Sequence, residues 1–249
     1  MPTKMKQPDY GIDAPRFDLT MFLLGAVTLA SGLAVTLSSG LPGSELVTAV
    51  GLDLTGIGLL FVGVVYVYSS KVGKLRLREK VVGMIPWKGD EKVLDIGCGR
   101  GLLLIGAARH LVTGSAVGVD IWKWGDLTGN APGAALENAK LEGVADRVTL
   151  KEGDASSLAF PDSTFDVVLS SLAIHNLKGE EARDRAIREA VRVLKPGGTL
   201  AIYDWGARRY SKVLTREGMT NVRLHEPIPL FLFFGRIVTA RKPSSLSNV

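Results

Sequence analysis

From Leu19 to Ser44 the chain carries no charged residue, and the apolar run from Leu46 to Tyr68 is interrupted by a single acid, Asp53. Each run reaches the ~20 residues that carry a helix across a bilayer. Between them, Gly40-Leu41-Pro42-Gly43-Ser44-Glu45 has the chemistry of a tight turn. The pattern predicts a two-helix transmembrane hairpin over residues 19–70, preceded by a separate N-terminal segment, 1–18. Lys4, Lys6 and Arg16 precede the first run, and Lys71, Lys74, Arg76, Arg78 and Lys80 follow the second. The turn has no basic residue, so both termini and all that follows the hairpin are expected in the cytoplasm. Ala26, Ala30 and Ala34, with Gly51 and Thr55, have the spacing of a close helix seam, or mark only how common small residues are in such helices. Asp53 is an intramembrane acid, or lies at the outer interface if the second span begins near Leu54. A cleaved leader fits poorly, because the opening segment is long and acidic and a second span follows directly.

Beyond Tyr68 the pattern changes. Residues 71–92 read as a basic linker containing a helix from Lys71 to Ile85, ended by Pro86. From residue 93 short apolar strands alternate with amphipathic helices. The strands are Val93–Ile96, Ala116–Asp120, Arg147–Ala155, Phe165–Ser171 and Thr199–Trp205, closed by a pair, Val222–His225 and Gly235–Arg241. The helices follow the glycine turn to about His110, then cover Ala134–Leu141, Glu180–Leu194 and about Lys212–Arg216. Such alternation predicts an α/β domain over 93–249, with a parallel sheet covered on both faces. The Ser-rich tail from Ser244 is expected to fray.

Composition sharpens this little. Hydrophobic residues make up 46% of 249, and the net charge is +5. The first 70 residues hold more acids than bases, so the positive charge sits on the remainder, which suits an anionic membrane face or a nucleic acid. The single Cys98 excludes an internal disulfide and a cysteine metal cluster, and its place in a glycine turn suits a small loop residue better than a nucleophile.

The candidate chemistry lies at the strand tips, where such sheets bind ligands. Val93-Leu94-Asp95-Ile96-Gly97-Cys98-Gly99-Arg100-Gly101 is a strand entering a glycine-rich turn. Its last glycine comes one residue too early for the dinucleotide pattern. The carboxylate of Asp95 suits a cationic amino-acid head better than a pyrophosphate. Asp120, about 20 residues on, is placed to take both hydroxyls of a ribose. Trp122 and Trp124 suit stacking on an adenine, lining a substrate pocket, or plugging the core. Asp154 is placed to accept from the amine of a base.

Together these pieces resemble the class I S-adenosylmethionine-dependent methyltransferases. The resemblance runs from Val93 to about Lys242, through Val-Leu-Asp-Ile-Gly-Cys-Gly-Arg-Gly, Gly-Val-Asp, Gly-Asp-Ala, Phe-Pro-Asp-Ser-Thr-Phe-Asp-Val-Val and Arg-Val-Leu-Lys-Pro-Gly-Gly. It looks closest to the branch acting on small molecules such as quinones and sterols. It implies a Rossmann-like seven-stranded methyltransferase sheet with the last strand antiparallel. The implied cofactor is S-adenosyl-L-methionine, with Gly97, Gly99 and Gly101 on its methionine part and Asp95 ordering that loop and the amino group. Asp120 would hold the ribose hydroxyls, with Ile121 also contacting the cofactor, Asp154 and Ala155 the adenine edge, and Ser170 would face the methionine end and the substrate. No Asn/Asp-Pro-Pro-Tyr/Phe follows the fourth strand, which weakens a nucleic-acid substrate. His175 is either the base that takes the acceptor's proton or a structural cap, and Asn176 either positions substrate or caps. The expected protein is a membrane-anchored methyltransferase for a lipophilic small molecule or lipid at the cytoplasmic face. The alternatives are a methyltransferase for a membrane-protein side chain and a non-catalytic cofactor-binding module.

Overall fold

Strand β1 (Lys92–Ile96) is buried at every position but its first, as a strand flanked on both sides and covered on both faces must be. The computed structural model describes residues 6–38, 43–123, 125 and 127–244. Beside β1 lie β2 (Ser115–Asp120), β3 (Val148–Glu152), β4 (Phe165–Ser171) and β5 (Leu194–Asp204), in the order β3-β2-β1-β4-β5, all parallel. Next to β5 runs β8 (Phe233–Arg241), antiparallel to it and to the edge strand β6 (Thr220–Leu224). A short β7 (Ile228–Leu230) pairs only with β8. The result is a mixed, Rossmann-like sheet of the methyltransferase kind with its last strand antiparallel. Among the described residues it has eight strands, one more than the sequence pattern yields, because β7 is too short to produce alternation.

Helices α4 (Leu102–Ala108), α5 (Pro132–Leu141), α6 (Glu180–Val193) and α7 (Ala207–Arg216) supply the covering layers. Two buried clusters result, one on each face of the sheet. Leu103, Leu104 and Ile105 belong to one, and Ile187, Ala190 and Leu214 to the other. Several elements start earlier than expected: β5 at Leu194 rather than Thr199, and α7 at Ala207 rather than Lys212. In β5 the Lys195-Pro196-Gly197-Gly198 stretch reads as a break; the strand spans it, but its pairing with β4 skips from Leu194 to Thr199 with a shift of register.

The two apolar runs are α1 (Pro15–Ser38) and α2 (Ser44–Tyr68), packed side by side. By length and composition both could cross a membrane. The expected turn residues Gly40–Pro42, Trp124 and the tail from Ser245 lie outside the described residues. The seam between the helices is not the expected one. Ala26, Ala30, Ala34, Gly51 and Thr55 all face outward. The buried positions are Gly25 and Gly32 on α1, and Ala49, Gly56 and Gly63 on α2, recurring every seventh residue. A β-carbon on Gly56 would stand 2.7 Å from the Leu29 side chain and 2.9 Å from the Gly25 carbonyl oxygen. Asp53 stands nine residues into α2, and its carboxylate lies against Gly32 of α1.

Helix α2 does not end at the hairpin's base. It passes through a π-helical turn, Ser69–Gly73, into α3 (Lys74–Val82), giving one rod over Ser44–Val82. The helix therefore stops at Val82 rather than Ile85. Leu77, Val81 and Val82 bury against the catalytic core, so the hairpin and the sheet share a helix. A second tie runs from the other end. Residues 9–14 cross the domain as a strap: Asn138 binds the backbone of Asp9, Thr128 donates to the Ile12 carbonyl, and Asp13 bridges Leu127. Lys74, 5% exposed, holds the strap with its ammonium on Asp13 (2.6 Å) and on the carbonyls of Tyr10 and Gly11.

Candidate cofactor and acceptor cavity

A cavity of about 460 Å³ opens at the C-terminal ends of β1 to β5. Its β1 wall is the turn Gly97–Arg100. Gly97, Gly99 and Gly101 all have positive φ (69°, 50° and 86°), a region that only glycine enters without strain. A β-carbon on Gly97 would collide with that of Ala173. The turn is fixed from beneath, since the N–H groups of Gly97 and Cys98 both reach the Val119 carbonyl. Gly101 does not line the cavity, contrary to expectation; it caps α4 in a left-handed conformation against Ile105.

Asp95 sits below the turn, 2% exposed, and accepts from the N–H of Leu104 at 2.8 Å. Burial, with Asp120 nearby, pushes its carboxyl up to about 8, against the opposing effect of the Leu104 bond. Cys98 is buried too, and burial raises its thiol well above the ordinary range, in keeping with an inert loop residue. Asp120, at the tip of β2, accepts from the N–H of Gly99 (2.8 Å) and of Trp122 (2.6 Å). Each carboxylate oxygen retains acceptor capacity. Ile121 and the run Gly153–Ala155 line the same end, with Asp154 exposed and bonded to Ser156.

Two further expected residues do not reach the cavity. Ser170 is fully buried, and its hydroxyl donates to the Ile96 carbonyl at 2.9 Å. Because side chains alternate along a strand, its neighbour Ser171 lines the cavity instead. Trp122 does not line it either, and packs against the buried cluster on one face of the sheet. Asn176 is exposed at the rim.

At the β4 and β5 tips stands a pair that the sequence reading half identified. His175 lines the cavity, with Nδ1 3.2 Å from Asp204 Oδ2. Asp204 is fully buried and also accepts from the backbone N–H groups of His175 and Gly206 and from the Tyr210 hydroxyl. Register creates the pair: Ser171 lies opposite Tyr203, so the chain leaving β4 meets the last residue of β5. Beside it an aromatic wall continues through Trp205, Phe233, Phe231 and Tyr66, all lining the cavity. Sequence reasoning missed these and the strap residues Tyr10 and Asp13. An acid at the tip of β5, like those at the tips of β1 and β2, was the available signal for Asp204.

Buried polar atoms test the fit to S-adenosylmethionine. Arg100 Nε and Asn130 Oδ1, of residues lining the cavity, are buried with no hydrogen-bond partner in the protein. A donor and an acceptor left open beside the glycine turn and Asp120 fit a polar nucleoside with an amino-acid end. Three strand spacings separate β3 from β4, roughly 14 Å, which accommodates such an extended ligand with its methyl end toward His175.

The comparisons agree with this geometry. A methyltransferase-domain family model matches residues 94–202. The chain is 34% identical over 133 residues to 27-O-demethylrifamycin SV methyltransferase of Amycolatopsis mediterranei, covering 52% of this chain and 44% of that one. It is 35% identical over 126 residues to demethylmenaquinone methyltransferase of Lactiplantibacillus plantarum, covering 49% and 48%. The chain thus spans about half the length of the curated relatives it matches. Among solved structures, a SAM-dependent methyltransferase from Aquifex aeolicus superposes with a TM-score of 0.51 at 22% identity, over 70% of this chain and 97% of that one, and so shares the fold. Residues 94–202 therefore match a methyltransferase domain, and the sheet that holds them has the fold of a SAM-dependent methyltransferase.

Proposed function

We propose that this chain is a membrane-anchored methyltransferase that methylates a lipophilic acceptor carrying an ionisable proton, at the cytoplasmic membrane face. One observation carries the acceptor chemistry: the His175–Asp204 pair lies on the wall of the cavity that holds the glycine turn and Asp120. S-adenosylmethionine supplies a methyl group on a positively charged sulfur, which keeps the bonding electron pair when the acceptor takes the carbon. The protein's task is then orientation and proton removal. Asp204 accepts from Nδ1–H of His175, which leaves Nε2 as the free base facing the acceptor. The acceptor oxygen or nitrogen gives its proton to Nε2 as it bonds to carbon. Alignment of the two reactants supplies on the order of 7–11 kcal/mol in favourable cases.

The ribose role of Asp120, the cofactor contact of Ile121, the adenine role of Asp154 and Ala155, and the methionine role of Gly97 and Gly99 belong to the same reading. A lipophilic acceptor is supported by the apolar helices α1 and α2, by the aromatic wall beside His175, and by the quinone-related relative. Anchoring confines enzyme and acceptor to one plane and raises their effective concentration.

The test incubates the full chain, in its own membranes, with S-adenosylmethionine labelled in the methyl group, then separates lipid from protein. Label in the lipid fraction is the expected result. Label only in protein assigns a membrane-protein side chain instead, and cofactor binding without transfer assigns a non-catalytic module. Orientation is read separately: Ser44→Cys should react with an impermeant maleimide only from outside, and reaction only from the cytoplasm reverses the topology.

A further inference from the structure

The turn joining β7 to β8 is built against ordinary turn chemistry. Leu230 pairs with Phe233, so Phe231 and Leu232 form a two-residue loop, and both have positive φ (53° and 67°). Asn-Gly is the usual occupant of such a loop. Bulky apolar residues persist in that region only where the surroundings over-determine them, and such sites cluster where function needs them. Here the run Ile228–Gly235 has no charged residue and only its inner half is covered.

The inner half is bolted to the base of the apolar hairpin. The Phe231 N–H donates to Ser69 Oγ at 3.1 Å, its ring lies 5.3 Å from that of Tyr66, and Tyr66 lies 4.8 Å from Phe17 of α1. Leu230 packs against Gly73 so closely that a β-carbon there would stand 2.6 Å away. The outer half is bare: Leu232, Phe233 and Phe234 are 50%, 58% and 70% exposed. Phe233 stands 5.8 Å from Trp205, and Trp205 6.1 Å from His175.

We propose that Leu232–Phe234 is a third membrane contact, dipping into the lipid interface beside the hairpin, and that the acceptor passes from the bilayer along the aromatic residues of this tip into the cavity. The inference rests on the anchoring reading above. A lipid surface is the fitting occupant because the tip is held, through Phe231 and Tyr66, against the exposed Phe17 at the base of the apolar hairpin. Lys178, on the loop after β4, and Arg208, in the first turn of α7 after β5, are exposed bases at the cavity end of the sheet, a charge that an anionic leaflet favours. Aromatic residues are the usual occupants of that layer. The wall Tyr66, Phe231, Phe233, Trp205 then forms an unbroken apolar path from lipid to the histidine.

The test uses the full chain in nanodiscs of phosphatidylcholine and phosphatidylglycerol, with and without brominated acyl chains. A nitrobenzoxadiazole fluorophore is attached at Phe234→Cys, at Ile57→Cys within α2, and at Val112→Cys at the opposite end of the sheet. The native Cys98 is buried and stays unlabelled. Brominated lipid should quench positions 57 and 234 and leave 112 unchanged. Quenching at 57 but not 234 overturns this inference and leaves anchoring standing. No quenching at 57 overturns the anchoring itself. A blue shift at 234 that brominated lipid does not quench and dilution abolishes assigns the tip to a second copy, and also overturns the proposal. Phe234→Asp should lower transfer of label into the lipid fraction at least several-fold while S-adenosylhomocysteine binding in detergent is unchanged. Unchanged transfer removes the entry role.

Discussion

His175 has one ring nitrogen committed to a fully buried acid and the other free on the cavity wall. If it removes the acceptor's proton, His175→Gln should cut kcat by about 10²–10⁴-fold, with S-adenosylhomocysteine affinity in calorimetry unchanged. Asp120→Ala should do the reverse, weakening the cofactor by about 1.5–3 kcal/mol, because the ribose acceptor and the bond ordering Gly99 are lost together. Full activity in Asp120→Ala contradicts the ribose assignment. Asp95 makes a different prediction. Burial pushes its folded-state carboxyl up to about 8 from an ordinary 3.8, so between those values the folded protein binds a proton that the unfolded chain has released. Stability therefore falls as pH rises across that window. Asp95→Asn, whose amide oxygen can still accept from Leu104, should flatten the slope. Thermal midpoints in detergent at about pH 5 and pH 8 should differ less in the variant than in the parent. An unchanged difference refutes the buried-carboxyl argument.

At the scale of elements, the hairpin depends on where its small residues stand. Gly56 backs onto Gly25 and Leu29, whereas nothing lies within 4 Å of a β-carbon on Gly51. Gly56→Val should therefore destabilise by about 1–3 kcal/mol through overpacking. Gly51→Val, one turn away and equally apolar, should change little. Equal thermal shifts in detergent would place the seam elsewhere. The sequence could not choose between these positions, because a four-residue spacing and a seven-residue spacing both return to a helix face, and several faces of α1 and α2 carry small residues. Other elements were legible to the residue. Strand β4 reads Phe165–Ser171 because Pro161-Asp162-Ser163-Thr164 stops the chain before it and the apolar run Val167-Val168-Leu169 fills its centre. Its tip was legible only to within one position, which exchanged Ser170 for Ser171, since a one-residue slip turns every side chain to the other face. The glycine turn and the acids at the β1 and β2 tips were readable because local backbone geometry demands them. Asp204, Trp205 and the β7–β8 tip were not, because pairing between distant strands brings them to the cavity.

For the whole molecule, the hairpin and the catalytic domain behave as one body joined at two places, and both joints touch the cavity. The rod Ser44–Val82 enters the core through α3, and the strap 9–14 returns across the glycine turn and contributes Tyr10, Asp13 and Ala14 to the cavity wall. Lys74 is the fastener: it belongs to the rod, and its ammonium holds three acceptors of the strap. Around it Tyr10 bonds both Glu142 and Arg78, and Arg100 reaches Asp9 and the Thr128 carbonyl. Removing one partner of a buried ion pair costs about 3–5 kcal/mol, because the remaining charge is left without a counterion. In Lys74→Met that charge is Asp13, on the strap. The expected result is local release rather than global unfolding: protease cuts appear within residues 9–14, while the sheet keeps its thermal midpoint within a few degrees. Because the strap forms part of the cavity wall, cofactor dissociation should then accelerate, measurable as a faster off-rate for S-adenosylhomocysteine by stopped flow. Asp13→Asn, which keeps a hydrogen-bond acceptor for Lys74, should show a smaller effect in the same direction. If Lys74→Met leaves both cleavage pattern and off-rate unaltered, the strap is passive packing, and the anchor and the active site are coupled through α3 alone.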